Sequence, residues 1–282
     1  MVSLAEPKTE EESAADWAPP PGHYAVAWRD LVEGLKRNWM WTALALQDIR
    51  LRYRGSVLGP FWLTISTFVM VVSMGAIYAH LFHTDPTTYI PYLSLGLIVW
   101  GLISSLITEG CQTFLAAEAV IQQVPIPFSI HAYRVVCRNL IVFAHNLVIV
   151  PIGIIFFGIP VDWHLIGAAA GCFILALDGV WICLCLGIVS TRFRDIAPIV
   201  ASFLQVAFFL TPVFWPIDAL GDLRPIAEYN PLFAAIDVIR APLIGMPVAP
   251  NSWPVLLAAT ALGWAVTFRL FARYRRRIAY WI

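Results

Sequence analysis

Long uncharged runs dominate the pattern of hydrophobic and polar positions along the chain. After Arg54, for example, no Asp, Glu, Lys or Arg appears until Asp85. The hydrocarbon core of a bilayer needs about 20 mainly apolar residues per crossing helix. Six segments are long and apolar enough, at about 58–82, 89–115, 134–158, 164–190, 196–216 and 252–272. Six such segments in 282 residues argue against the buried helices of a soluble core, and they predict one membrane domain over residues 23–282.

A different periodicity precedes the first predicted span. Between residues 24 and 39 the apolar positions recur at helical spacing, namely Trp28, Leu31, Val32, Leu35 and Trp39. Charged residues take the other face, namely Arg29, Asp30, Glu33, Lys36 and Arg37. This pattern predicts an amphipathic helix lying in the membrane interface. A soluble cytoplasmic helix packed on the domain is the alternative.

Residues 217–251, between the last two predicted spans, are too apolar for a solvated loop. They are also too broken for a seventh span, because they hold Pro225, Pro231, Pro242, Pro247 and Pro250. Non-helical backbone is tolerated at membrane depth only where protein buries it. The predicted fold is therefore all-α and integral to the membrane, with six transmembrane helices. An interfacial amphipathic helix precedes them, and periplasmic re-entrant helices precede the last span.

The composition agrees with a membrane protein: 60% of residues are hydrophobic and 13% are charged, and the mean hydropathy is +0.75. A net charge of zero gives no indication of a nucleic-acid partner. The five cysteines lie in or beside apolar segments, which favours small buried residues over disulfides or metal ligands. Residues 1–22 are acidic and then proline-rich, which predicts a disordered cytoplasmic tail.

The positions of lysine and arginine predict the orientation of the spans. Of the 18 such residues, seven precede the first span and five close the chain, from Arg269 to Arg277. Arg134 and Arg138 border the second connection, and Arg192 and Arg194 lie in the fourth. With an even number of spans these sixteen fall on one side, so both termini are predicted to be cytoplasmic.

Several kinds of chemistry are missing from the sequence. A phosphate-binding loop of an ATPase ends in Gly-Lys-Ser/Thr, but the two lysines, Lys8 and Lys36, do not follow glycine. Neither His-Glu-x-x-His nor Gly-x-Ser-x-Gly occurs, and Cys183 and Cys185 do not have a zinc spacing. The spacing of His80 and His83 could suggest a metal site, but solvated or hydrogen-bonded structural histidines are favoured. The sequence therefore predicts no catalytic site and no metal site in this chain.

Charged residues inside predicted spans are candidates for function. Glu109 and Glu118 flank the end of the second span, where a structural pair with Arg134 or Arg138 and a transport role are both open. Asp178 lies deeper, where a contact between helices beside Gly179 is favoured over a proton site.

Four motifs resemble one family, the type-2 ABC permeases of polysaccharide export (the Wzm-like group for O-antigen, capsule, teichoic acid and galactan). They are "LALQDIRLRYRGSVLGPFW" before span one, "VPIPFSIHAYRVVCRNL" between spans two and three, "RFRDI" between spans four and five, and "YNPLFAAIDVIRAPLIG" before span six. The resemblance covers about residues 24–282.

The resemblance implies a homodimer in the bacterial inner membrane that exports a lipid-linked polysaccharide to the periplasm. Two copies of a separate ATPase subunit, which binds ATP and Mg, would power it, and this chain would need no cofactor. The implied ATPase-coupling residues are Trp28, Asp30, Glu118, Gln122, Pro125 and Pro127. Residues Glu118 to Ser129 are predicted to form a short cytoplasmic helix that is ended by the two prolines. The implied cytoplasmic motif consists of Arg52, Tyr53, Arg54, Gly59, Arg192, Arg194 and Asp195. A periplasmic gate is implied at Asn230, Pro231 and Arg240.

Aromatic residues are the predicted lining of the conduit, since sugar rings stack on aromatic faces without forming a tight site. These are Phe61, Trp62, Phe68, Tyr78, Phe208, Phe209 and Trp215 on or next to spans one and five. Contact with lipid is the alternative for about half of the aromatic residues on these spans.

Two other classes of function are kept as alternatives. One is a proton-coupled secondary transporter that uses Asp178 and Glu109, and the other is a membrane-embedded glycosyl- or acyltransferase. An adjacent gene for an ATPase with a Gly-Lys-Ser/Thr loop would favour the exporter over both.

Overall fold

A computed structural model describes residues 22–55, 61–151 and 165–282, and within these ranges it contains helices and no strand. The helices before the middle gap are α1 (His23–Lys36), α2 (Asn38–Arg52), α3 (Phe61–Leu81), α4 (Pro86–Cys111), α5 (Glu118–Gln123) and α6 (Ser129–Asn146). Those after it are α7 (Leu165–Arg192), α8 (Ile196–Leu210), α9 (Arg224–Glu228), α10 (Pro231–Leu243), α11 (Ser252–Tyr274) and α12 (Ile278–Trp281). Short 3₁₀ turns cover Leu115–Ala117, Ile217–Leu223 and Arg275–Arg277. The all-α membrane fold is confirmed.

Five helical segments are long and apolar enough to cross a membrane, and they correspond to predicted spans one to four and six. The third begins at Ser129, earlier than the predicted residue 134. Arg134 and Arg138 were expected at the border of this span, next to the connection. The structure instead neutralises Arg134 and Arg138 with carboxylates of neighbouring helices, so the helix can include them.

Predicted span five differs most from expectation. Its helix, α8, has 15 residues and ends at Leu210, which corresponds to a length of about 22 Å. Thr211 is extended, as expected for a residue that precedes proline, and Pro212 cannot continue the helix. Because α8 is shorter than the hydrocarbon core of about 30 Å, a sixth complete crossing stays a prediction.

Helices α4 and α7 form the centre of the subunit. In the most apolar 18-residue stretch of α4, 61% of the residues are buried, against 17% in α3, which packs on α4 at the periphery. Gly179 of α7 permits a close approach to two neighbours. A Cβ atom there would lie 3.0 Å from Leu106 of α4 and 3.1 Å from Val136 of α6.

The amphipathic helix α1 packs on α6 and α11 through Ala27, Asp30, Leu31 and Gly34. The assignment of Asp30 to an exposed polar face is therefore wrong, since this residue is 2% exposed. Gly34 lies so close to α6 that a Cβ atom would overlap the Ser129 hydroxyl. Three of the predicted apolar residues, Trp28, Leu35 and Trp39, are exposed on the subunit. Exposed apolar residues are what an interfacial helix presents to lipid.

Some predictions lie outside the described residues. These are the tail over 1–22 except for Gly22, the start of span one with Gly59, and the end of span three after residue 151.

Candidate functional site

Three arginines and two carboxylates join α2, α4 and α6 at one end of the bundle, which we call the basic end. We call these five residues the charge network: Arg52, Arg134, Arg138, Asp48 and Glu109. The Asp48 carboxylate accepts hydrogen bonds from Arg134 and Arg138. Glu109 accepts from Arg52 at 2.7 Å and from Arg138 at 2.6 Å. Asn139 also donates to Glu109, at 2.6 Å.

The network confirms the predicted structural pairing of Glu109 with Arg138. All four carboxylate oxygens of Asp48 and Glu109 accept arginine N–H groups. Burial alone would raise the pKa of Asp48. The hydrogen bonds and charges of Arg134 and Arg138 outweigh burial, and the pKa of Asp48 lies below its ordinary value.

A second polar cluster at the basic end is centred on Asp30. Its carboxylate accepts the backbone N–H groups of Phe128, at 3.1 Å, and Ser129, at 3.0 Å, where α6 begins. Arg275, just after α11, donates to the same carboxylate at 2.6 Å. Asp30 therefore joins α1, the start of α6 and the end of α11 in one place. An acidic group at the start of a helix also interacts favourably with the helix dipole.

The connection between α4 and α6 contains the predicted short helix. Helix α5 begins at Glu118, as predicted, and ends at Gln123, which is before the two prolines and short of the predicted Ser129. Glu118, Gln122 and Pro125 are exposed, whereas Pro127 is buried. The C-terminal helix α12 contacts α5 and the end of α7.

The "RFRDI" motif lies beside this connection. Arg192, Phe193, Arg194 and Asp195 are all exposed in the turn from α7 to α8. The guanidinium of Arg192 lies 5.8 Å from the ring centre of Trp281 in α12. Arg52 and Arg54 of the first motif are exposed and Tyr53 is half-buried. The basic end thus presents α5, the α7–α8 turn and α12 on one continuous surface.

The opposite end is organised by Arg240, which is 2% exposed. Its Nη1 donates to the carbonyls of Pro212, at 2.9 Å, and Val213, at 3.3 Å. Its guanidinium also lies 3.8 Å from the ring centre of Tyr92, a cation–π distance. The hydroxyls of Tyr89 and Tyr92 donate to the next two carbonyls, those of Phe214 and Trp215.

The other predicted gate residues lie at the start of α10. The Asn230 side chain accepts from the Leu232 N–H and donates to the Thr211 hydroxyl, so it caps α10 and holds the chain after α8. Pro231 occupies the first turn of α10, where its missing N–H is harmless. A cavity of about 500 Å³ lies at this end, between Tyr92, Asp218 and Arg240. The structure brings Asn230 and Arg240 to the same segment, residues 211–213.

The predicted conduit aromatics fall into two groups. Phe61, Trp62, Phe68 and Phe209 are exposed on the outside of the subunit. Tyr78, Phe208 and Trp215 are half-buried instead. Tyr78 and Phe208 belong to one ring cluster with Trp100 and Phe214, in which neighbouring ring centres are 5.5 to 5.6 Å apart. The second group therefore packs inside a single subunit.

Asp178 is 5% exposed in the middle of α7. It accepts a hydrogen bond from the indole of Trp181, one turn later, at 2.8 Å. The neighbouring Gly179 makes the close contact with α4 and α6, as the helix-contact interpretation predicted.

Sequence reasoning missed residues whose partners are far away in the chain. Arg275, Trp100 and Tyr89 were not singled out, although each contributes to one of the clusters above. A buried aspartate on an otherwise charged helix face carries no sequence signal of its own. The alternation of acidic and basic residues across α2, α4 and α6 could have indicated the charge network.

The fold and these two ends define a helical subunit that crosses the membrane several times. A family model described as "ABC-2 type transporter" matches residues 41–244, which is more than half of the chain. The chain belongs to this family. It is thus the transmembrane subunit of an ABC transporter, and a separate ATPase partner hydrolyses ATP. This source of energy contradicts the alternative of a proton-coupled secondary transporter.

A second comparison is with one curated protein. The O-antigen export system permease protein RfbA of Myxococcus xanthus is 26% identical over 184 residues, which cover 64% of this chain and 69% of that protein. The resemblance to Wzm-like permeases is confirmed by the two comparisons.

Proposed function

We propose that this chain is the permease of an ABC exporter that moves a lipid-linked polysaccharide from the cytoplasm to the periplasm. The observation that carries the choice of cargo is the similarity to an O-antigen export permease over most of both chains. The basic end faces the cytoplasm in this proposal, because the excess of lysine and arginine lies there. The subunit then lies in the inner membrane of a bacterium, with both termini inside the cell.

The active unit in this proposal is a homodimer joined through α3 and α8. Both helices carry stripes of exposed apolar side chains at helical spacing. On α3 the stripe includes Phe61, Ile65, Phe68 and Val72, and on α8 it includes Ile199, Phe203, Val206 and Leu210. Both helices pack on α4, so the two stripes flank the centre of the subunit. A second copy could cover them and form a conduit lined by aromatic rings.

Two copies of the ATPase dock at the basic end in this proposal. Helix α5 is exposed there, and Asp30 links the chain beside it to α1 and α11. Movement of α5 would therefore be passed directly to three helices. Trp28, Glu118, Gln122 and Pro125 are available on the surface for contact. Asp30 and Pro127 are buried, so their contribution would be to hold the surface in place.

Gene disruption tests this function. Loss of the gene should remove the polysaccharide from the cell surface and leave glycan inside the cell, and expression of the chain should restore export. The control is a strain whose ATPase partner lacks the lysine of its phosphate-binding loop, which should show the same defect. Normal surface polysaccharide in the disrupted strain would contradict the proposal.

A further inference from the structure

A cavity of about 360 Å³ lies between the ends of α2 and α4 and the start of α6. We call it the arginine cavity, because all three arginines of the charge network line it together with Glu109 and His131. None of its lining residues belongs to α3, α5 or α8. The proposed export function assigns it no ligand.

The hydrogen bonds around the cavity leave donors in excess. Both carboxylates of the charge network are saturated by arginine N–H groups, as described above. Each guanidinium has five N–H groups. Within the described residues, the network uses Nη2 of Arg52, and it uses Nε and Nη2 of Arg134. The arginines that line the cavity therefore have further N–H groups to offer to a bound acceptor.

Buried polar atoms without hydrogen-bond partners also indicate a bound ligand in this cavity. His131 is 1% exposed, and neither of its ring nitrogens has a hydrogen-bond partner among the residues that the structure describes. The Nε of Arg138 is also buried without a partner. Buried polar groups are rarely left unpaired in native proteins. A site with three such nitrogens is incomplete without a bound molecule.

The net charge around the cavity indicates the chemical class of its ligand. Three arginines against Asp48 and Glu109 leave one positive charge in excess at the cavity. A ligand that is both anionic and rich in acceptor oxygens satisfies the charge and the donors together. Phosphate has this chemistry, and arginine recognises it through paired N–H groups.

We propose that the arginine cavity binds the phosphate group of a membrane phospholipid or a free phosphate ion. Its position favours the lipid, because the arginine-rich ends of spans lie at the level of the lipid headgroups. Arg52 is the entry residue, since its side chain is 46% exposed while that of Arg138 is 14% exposed. Bound phosphate would accept hydrogen bonds from Arg52, Arg138 and His131, and these donors would then have an acceptor.

Native mass spectrometry of the purified full chain in detergent tests this site. The probes are a short-chain phosphatidylglycerol, the matching diacylglycerol without phosphate, and inorganic phosphate. Arg52→Gln removes a donor of the cavity, and Arg50→Gln is the matched control, because Arg50 is exposed two positions earlier and does not line the cavity. We expect R52Q to retain phosphatidylglycerol about tenfold more weakly than the unaltered chain, and R50Q to retain it normally.

The three probes distinguish a lipid headgroup from a free phosphate ion. Phosphatidylglycerol that is retained and not displaced by inorganic phosphate identifies a lipid headgroup. Inorganic phosphate that binds and displaces the lipid identifies a free anion. Equal retention of phosphatidylglycerol and diacylglycerol by the unaltered chain, or equal retention by R52Q and R50Q, would overturn the proposal. If R52Q does not fold, His131→Phe is the second variant. It keeps an aromatic ring at this position, removes both ring nitrogens and is expected to show the same loss of phosphatidylglycerol retention.

Discussion

The side chain of Arg275 donates a hydrogen bond of 2.6 Å to Asp30, although 245 positions separate them in the chain. Asp30 also accepts two backbone N–H groups at the start of α6. One fully buried carboxylate thus connects the first and last parts of the described chain. Its replacement would leave a cation and two N–H groups without their acceptor.

We therefore expect Asp30→Ala to lower the free energy of unfolding by about 3 kcal/mol. Glu33→Ala is the control, because Glu33 is exposed on the same helix. Thermal unfolding of the purified chain in detergent, followed by circular dichroism, compares the two. Equal midpoints for D30A and E33A would show that the cluster contributes nothing to stability.

The lowered pKa of Asp48 predicts a dependence of stability on pH. Because the folded pKa lies below the ordinary value of 3.8, Asp48 contributes stability above pH 3.8. That contribution is lost as the pH falls through the lower folded pKa. The difference in unfolding midpoint between the unaltered chain and Asp48→Asn should therefore be constant from pH 7 to about 5. It should shrink on further acidification, and a difference that grows would contradict the sign of the shift.

Site-directed labelling tests the orientation of the chain. Single cysteines at Thr87 and Asp222 should react with an impermeant maleimide from the periplasmic side, and cysteines at Gln123 and Arg276 should not. All four residues are exposed on the subunit. Ser129 is unsuitable as a probe because it is fully buried beneath α1. Labelling of residue 276 from outside would place the basic end in the periplasm.

Charge reversal on α5 tests the coupling surface. Glu118→Lys should abolish export without changing membrane insertion or the unfolding midpoint, because Glu118 is exposed and its contact within the subunit is a hydrogen bond from Gln122 at 3.3 Å. Asp222→Lys, at the opposite end, is the matched control and should export normally. Surface polysaccharide is measured beside the amount of folded protein in the membrane. Normal export by E118K would remove α5 from the coupling surface.

The two groups of aromatic residues should respond differently to leucine. Trp62→Leu and Phe68→Leu should slow export with little effect on stability, since both side chains are at least half exposed. Phe208→Leu should also lower the unfolding midpoint, because Phe208 packs against Trp100 and Phe214.

Phe173→Leu controls for contact with lipid, since Phe173 is 66% exposed on α7, outside the proposed dimer surface. Export is measured as surface polysaccharide for each variant. Normal export by both W62L and F68L would leave these rings as lipid-facing residues.

The sequence was a good guide wherever one segment determines its own structure. Hydropathy located the five long crossing helices, and the prolines at 125 and 127 located the end of α5. The sequence was a poor guide where the structure of a segment depends on residues far away in the chain. The start of α6 at Ser129 depends on Asp30, and the burial of Arg134 depends on Asp48, 86 positions away.

The candidate site shows the same limit. A pairing of Glu109 with an arginine of α6 was foreseeable from charge, because both lie near one end of adjacent predicted spans. The division of the aromatics into exposed and packed groups was not foreseeable, because each predicted helix is apolar on all sides. Periodicity then gives no direction, and only the packing against α4 distinguishes Phe208 from Phe209.

The short helix α8 has a consequence for the chain that follows it. Four successive carbonyls, from Pro212 to Trp215, each accept a hydrogen bond from a side chain of α4 or α10. Irregular backbone is excluded from hydrocarbon because its polar groups lack partners there. Here the hydrogen-bond donors are side chains of the neighbouring helices α4 and α10. They replace water as the partners of these carbonyls, so the segment can lie at a membrane depth that a loop could not otherwise reach.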